Sequence, residues 1–354
     1  MHRKLFIPGP TEVRDEILKE MAKPLIGHRS KDFSELFLST VSKLKKVFYT
    51  ENKIFISSSS GTGLMEATIR NCVSERCLNL ICGHFGEEWY KIALSNGKNA
   101  DCVRVEPGDG ITPESVREKL DSGSYDAICL THNETSTGVM NPIYEIAEVI
   151  NRYEDVLFMV DSVSSLGGVK IEVDKLGIDV CLTSSQKCLA IPPGIAVCSV
   201  SERALERSKK VRNRGYYFDF QTFLKFYEKS QTISTPPISQ IYALNKELDY
   251  ILEEGLENRF NRHKTMAEYT RKWALEHFDM FPKERFWSNT LTVIKNTKGI
   301  KVDELNKKLA ERNMQISNGY GELKEKTFRI AHMGDLQLED MKELIMIINE
   351  ILGL

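Results

Sequence analysis

The chain is 354 residues long, more than a single hydrophobic core usually serves, so one large and one smaller domain are expected. Its 48 basic and 50 acidic residues leave a net charge of −2, which excludes a global field that would attract nucleic acid or an anionic membrane and leaves small molecules as partners. Eight cysteines with no CxxC pair and no clustering with histidine argue against a zinc site or a disulfide framework, and fit reduced thiols in a cytoplasm.

In chain order, the stretch from Met1 to Pro10 has only a short apolar run before Pro8, too short for a signal-peptide core, so export is not expected. Between Lys53 and Val200, β-rich runs alternate with helical patterns. The runs are Lys53–Ile56, Leu78–Cys82, Ala127–Leu130, Val156–Val160 and Ile195–Cys198, and the helical spacings fall at Gly63–Asn71, Pro113–Leu120 and Tyr144–Tyr153. Such alternation predicts an α/β fold with a mostly parallel, buried sheet. The basic run Arg203 to Arg214 reads as a solvated helix face.

After Thr235-Pro236-Pro237 the pattern predicts one long helix from about Ser239 to His277, bridging two domains. Beyond it come a strand at Leu291–Ile294, an amphipathic helix carrying Val302, Leu305 and Leu309, a strand at Phe328–Ile330 and a final helix from Leu338 to Leu352. The apolar run Leu344 to Ile348 is far below the roughly 20 residues that span a bilayer. The expected organisation is an N-terminal arm over residues 1–20, a large domain over 21–245 and a small C-terminal α+β domain over 246–354.

In open α/β sheets, ligands sit at the C-terminal ends of strands, and three junctions there are chemically loaded. Ser57-Ser58-Ser59-Ser60-Gly61-Thr62-Gly63 precedes a helix and could cradle a phosphate, or simply cap the helix. Asp161 ends an apolar strand, where it could serve a ligand or cap a turn. Lys187, about one crossover unit later in Ser184-Ser185-Gln186-Lys187-Cys188, could be a ligand-linked amine or a lysine snorkelling outward. Together they supply what pyridoxal 5'-phosphate (PLP) needs: a lysine for a Schiff base, an acid for the pyridinium nitrogen and a phosphate cradle.

The chain resembles the class V aminotransferases of PLP fold type I, in particular the alanine–glyoxylate and serine–pyruvate aminotransferases. The resemblance rests on Pro8-Gly9-Pro10-Thr11, Gly27-His28-Arg29, Ser60-Gly61-Thr62-Gly63, Thr131 to Gly138, Val160 to Ser165, Ser185-Gln186-Lys187, Pro192-Pro193-Gly194, Thr235-Pro236-Pro237 and Phe328-Arg329-Ile330. It implies a seven-stranded large-domain sheet, with Lys187 and Asp161 as the catalytic pair. It also implies Ser60, Gly61 and Thr62 at the phosphate, Phe85 and Val163 on the two faces of the ring, and Thr135 and Gln186 at the ring or its 3-oxygen. Arg329 would bind the substrate carboxylate, with Gly9 lining the substrate site, and Thr235 would reach the phosphate of the other subunit of a homodimer with shared active sites. A tyrosine that some relatives use beside that threonine is replaced here by Thr232.

The implied reaction is transamination between alanine or serine and glyoxylate or pyruvate. Aspartate and 2-aminoethylphosphonate are alternative donors, the latter through His28 or Arg29. A cysteine desulfurase is disfavoured because no cysteine follows Cys198, and Cys188 reads as a packed thiol. A non-enzymatic nucleotide-binding module is the reading from a different class. It would be colourless, where a lysine-linked PLP absorbs in the visible.

Overall fold

Every β-rich run between Lys53 and Val200 enters one seven-stranded sheet in the computed structural model, which describes residues 2–354. From one edge to the other the strands are Lys53–Ser57, Ala196–Val200, Val180–Ser184, Leu157–Asp161, Ala127–Thr131, Arg76–Ile81 and Asn99–Arg104. Only Ala196–Val200 runs against its neighbours, pairing antiparallel with both. The sheet is thus mostly parallel, as the alternation of strands and helices predicts.

Four adjacent strands are buried at every residue, because helices cover both faces. Period-two alternation sorts their side chains between two cores. Ile54, Ile56, Leu78, Leu80, Ile128, Leu130, Phe158 and Val160 pack on one face with Phe33, Phe37, Leu44 and Phe48 of the helix Lys31–Phe48. Phe55, Cys77, Ala127, Cys129, Leu157 and Met159 face the other way, onto Leu64, Met65 and Ile69 of the helix Gly61–Cys72. The edge strand Asn99–Arg104 carries a polar, half-exposed sequence, which is why no alternating signal marks it.

Register decides where chemistry can gather. Ala196 opposes both Ser57 and Ser184, Asp161 opposes Thr131, and Leu182 lies beside Asp161. The ends of four strands therefore lie level along one edge of the sheet.

The single helix expected from Ser239 to His277 is two helices, Ile238–Glu254 and Leu256–His277. Gly255 parts them at φ +81, a conformation that a residue with a Cβ adopts only at a cost. A second, five-stranded sheet runs in the order Lys4–Phe6, Met314–Asn318, Thr327–Ala331, Leu291–Lys295, Asp279–Met280. Lys4–Phe6 joins it in parallel, so the N-terminal segment adds a strand next to residues more than 300 positions away. Phe6, Phe278, Ile294, Ile316, Phe328 and Leu344 share the core of this sheet. No helix among the described residues is long and apolar enough to cross a membrane.

Candidate active site

The first junction is a strand-to-helix turn with an open helix end. Ser60 occupies the N-cap of the helix Gly61–Cys72, yet its side chain makes no capping hydrogen bond; the Gly63 amide turns back to the Ser60 carbonyl at 3.1 Å, which leaves the Gly61 and Thr62 amides for an external anion. A Cβ on Gly61 would stand 2.7 Å from Val163 Cγ2 and 3.6 Å from Ser184 Oγ, so glycine is required where the turn meets the sheet edge. Ser184 Oγ is buried without a hydrogen-bond partner, an uncommon state that marks a group awaiting one. Thr62 is exposed at the same turn.

Asp161 closes its strand and is almost completely buried. Oδ1 accepts the Val163 amide at 2.8 Å, so the turn-capping role weighed from the sequence is real, and it holds Val163 beside Gly61. Burial pushes the Asp161 carboxyl up to about 7, from an ordinary 3.8, the Glu134 charge adding to the effect and the Lys187 charge opposing it. It is a carboxylate short of a counter-charge.

Lys187 lies on the turn after the neighbouring strand, where burial and then the Arg329 charge lower its amine to about 8. Nζ donates to the carbonyl of Pro8. The N-terminal segment is pinned here a second time, since the Thr11 hydroxyl donates to the Lys187 carbonyl at 2.9 Å and the Thr11 amide to that of Gln186 at 3.1 Å. Gly9, at φ +103, leaves room: a Cβ there would lie within 2.9 Å of Lys187 Cε and Nζ. Cys188 points away into the protein with its thiol fully buried, as a packed residue should.

The lowered lysine has a consequence for the protein without cofactor. A lysine at about 8 in the fold and at its ordinary 10.5 unfolded costs stability at all pH below 8, and the cost fades as pH rises from 8 to 10.5. Lys187→Met is therefore expected to raise the melting temperature of cofactor-free protein by a few degrees at pH 7. That advantage should shrink steadily towards pH 10.5. A pH-independent difference in paired thermal scans would show that the lysine is not desolvated.

Arg329 comes from the small sheet, on the buried strand Thr327–Ala331. Its guanidinium donates from Nε to the Asn318 carbonyl at 3.0 Å and from Nη1 to the Thr135 carbonyl at 3.2 Å, and lies 5.4 Å from the centre of the Tyr320 ring. Burial lowers it to about 10, and it keeps donors free for an anion. Thr135 donates to or accepts from Ser164 Oγ at 2.6 Å, tying the Arg329 support to the turn after Asp161. Phe85, in the first turn of the helix His84–Ser95, is half-buried, with its ring 5.9 Å from that of Tyr320.

One edge thus brings together Ser60, Gly61, Thr62, Asp161, Val163, Gln186, Lys187, Gly9, Thr135, Phe85 and Arg329. Thr235 is not among them. It is exposed, with His28 Nε2 3.4 Å from its hydroxyl, while Arg29 donates to the Thr232 carbonyl at 2.7 Å. The basic run also departs from a purely solvated face, since Arg203 and Arg207 of the helix Glu202–Lys210 donate to the carbonyls of Glu154 at 2.7 Å and Asp155 at 2.8 Å.

Behind the lysine lies an ionic cluster that no local sequence signal announces. Arg259, fully buried, donates from Nη2 to the Cys188 carbonyl at 2.8 Å and from Nε to the Gly167 carbonyl at 3.0 Å. It bridges the loops that follow Lys187 and Asp161. Its Nη1 meets Glu254 at 3.0 Å and Asp335 at 3.3 Å, and Asp335 also takes Arg14 at 2.8 Å. Burial, then Asp335, pushes Glu247 up to about 9, while Arg14 and Arg259 overcome burial at Asp335 and hold it below the ordinary carboxyl value.

A model of the family Aminotransferase class-V matches residues 13–323, stopping short of Arg329 and beginning after Gly9. An uncharacterized aminotransferase of Methanocaldococcus jannaschii is 47% identical over 340 residues, covering 93% of this chain and 87% of that protein. The serine–glyoxylate aminotransferase of Arabidopsis thaliana is 32% identical over 345 residues, covering 94% and 86%. Among solved structures, an alanine–glyoxylate aminotransferase from Nostoc sp. superposes with a TM-score of 0.94 at 30% identity, over 99% of this chain and 96% of that one. Likeness of this extent, in sequence and in the sheet that assembles the cleft, makes the chain a member of the class V aminotransferases, enzymes that transfer amino groups.

Proposed function

We propose that this enzyme uses PLP to move the amino group of a small α-amino acid, alanine or serine first, to a 2-oxo acid, glyoxylate first. The observation that carries the proposal is the gathering at one sheet edge of a buried Asp161 without a cationic partner, Lys187 on the neighbouring turn, and an uncapped helix end beside the unpartnered Ser184 hydroxyl. Burial raises Asp161 to about 7 and lowers Lys187 to about 8 in keeping with it. The residues fit the cofactor. Asp161 lacks the positive partner that a protonated ring nitrogen would provide, and Ser184 Oγ and the uncapped helix end lack the acceptor that a phosphate would provide.

Bound PLP supplies an electron sink conjugated with the substrate Cα. Lys187 Nζ would carry it covalently and would hold and return the substrate Cα proton, a task suited to an amine lowered to about 8. Asp161 would hold the ring nitrogen and favour its protonated form. Ser60, Gly61 and Thr62 would hold the phosphate, Phe85 and Val163 would hold the ring, and Thr135 and Gln186 would serve its 3-oxygen. Gly9 keeps the space beside Lys187 open to substrate. Arg329 grips the carboxylate with a planar fork and so turns Cα–H towards the lysine.

Small donors are favoured because Arg329 is the guanidinium that this edge places beside Lys187, and it serves the α-carboxylate. A homodimer with shared sites is part of the proposal. Thr235 is exposed rather than turned into its own cleft, and Leu18, Leu25 and Leu38 are large apolar side chains left 47%, 69% and 54% exposed. Eight free cysteines, seven of them buried, suit a reducing compartment such as the cytoplasm.

The test is Arg329→Lys assayed with a panel of donors against glyoxylate, pyruvate and 2-oxoglutarate. Loss of a bidentate, charge-assisted contact costs on the order of 2–4 kcal/mol, or roughly 30- to 1,000-fold in kcat/KM. All α-amino acid donors should weaken together while PLP stays bound. Selective loss of one donor, or loss of PLP, would contradict this placement of the carboxylate.

A further inference from the structure

Glu134 lies inside the Thr131 to Gly138 motif without a role of its own there, and we infer that it is a positioning residue which sets Phe85 against the cofactor ring. The inference rests on the reading of Phe85 given above.

Glu134 is completely buried, and both its oxygens are spoken for by donors. Oε2 accepts the amides of Phe85 at 3.0 Å and Gly86 at 3.2 Å. Oε1 accepts the Ser136 amide at 3.1 Å and the Ser136 hydroxyl at 2.6 Å. Ser136 Oγ in turn accepts the His84 amide at 3.0 Å. The first three amides of the helix His84–Ser95 are thereby capped from about fifty residues away, because Gly83, at the N-cap, has no side chain to offer.

Gly83 cannot be anything larger. A Cβ there would stand 2.4 Å from Glu134 Cγ and 2.5 Å from Ser136 Oγ, so the backbone before Phe85 is fitted against the carboxylate itself. Four donors and no acceptor face Glu134, at the positive end of a helix, an arrangement that needs a carboxylate and that an amide cannot satisfy with both heads. Phe85 sits between this anchor and the Tyr320 ring, so its freedom is set at the backbone by Glu134. The adjacent Thr135 carbonyl supports Arg329, which places the stacking aromatic and the carboxylate fork on one short segment.

A helix cap that only adds stability would give the same contacts, so the test asks whether Glu134 acts through Phe85. Apo-protein of the wild type, Glu134→Gln, Phe85→Ala and the double variant is titrated with PLP for Kd, and the visible circular dichroism of each holoenzyme is recorded. Each single change is expected to weaken PLP about tenfold. The double variant should be no weaker than Phe85→Ala within about twofold, and Glu134→Gln should share the dichroism change of Phe85→Ala. Losses that multiply, an unchanged dichroism in Glu134→Gln, or a Phe85→Ala protein that binds PLP as the wild type does, would overturn the role of Glu134. Ser136→Ala, which removes one link and keeps the carboxylate, runs the same cycle if Glu134→Gln does not fold, with a loss of about threefold that must again vanish in the Phe85→Ala background. A wild type that binds no PLP would instead overturn the cofactor assignment, and this inference with it.

Discussion

Lys187→Ala is expected to lower transamination by on the order of 10⁶-fold, the scale seen when a nucleophile or its proton-transfer partner is removed. Two functions vanish at one atom: covalent attachment of the cofactor, and the amine that moves the substrate Cα proton. The fold should survive, because Lys187 is no part of either sheet's core and its desolvated amine costs the apo-protein stability. Borohydride reduction of the wild-type holoenzyme followed by peptide mapping should place the pyridoxyl group on Lys187, and the variant should take no label. Label on another lysine, or catalysis retained in Lys187→Ala, would remove the basis of the mechanism.

Arg259→Met is expected to destabilise the protein by about 3–5 kcal/mol, the usual cost of removing one member of a buried charge cluster. The loss has two sources. Glu254 and Asp335 lose a cation, retaining Arg262 at 2.6 Å and Arg14 at 2.8 Å as their remaining partners. The carbonyls of Gly167 and Cys188 lose their donor deep between the two sheets, and a buried acceptor left unpaired costs about 1–3 kcal/mol more than one that was never bonded. Arg259→Lys should recover only part of this, since one ammonium group cannot span two carbonyls and two carboxylates. Urea denaturation of the apo-protein measures it directly. Arg312→Met, whose half-exposed side chain pairs with Glu350 outside the cluster, serves as the reference, and an Arg259 loss no larger than the reference would mean that the cluster is incidental.

Much of the large domain is legible in the chain itself, for a local reason. Alternating apolar residues such as Ile54 and Ile56 against Phe55 must go to opposite faces of a strand, whatever surrounds them. Asp161 and Lys187 stand out similarly, each a charged residue where an apolar strand ends, in a fold class that puts ligands at strand ends. Thr112-Pro113 and Leu338 to Leu352 announced their helices through capping and period. The break at Gly255 was less legible, because one glycine in a long amphipathic pattern is compatible with a continuous helix until packing selects a positive φ. Lys4–Phe6 is a strand only because Met314–Asn318 offers it an edge.

The supporting residues of the site depended on the tertiary structure entirely. Glu134 in sequence is one polar residue of a motif, and it becomes a helix cap when the chain returns to Gly83 and Phe85. Arg259 in sequence is one cation on a charged helix, indistinguishable from Arg262, until it is found wholly buried against Gly167 and Cys188. Residue types and strand ends are properties of the chain and set which groups can react. The protonation of those groups is not, because the lowering of Lys187 to about 8 and the raising of Asp161 to about 7 arise from burial and from charges brought in by distant segments, which exist only once the sheets have closed around them.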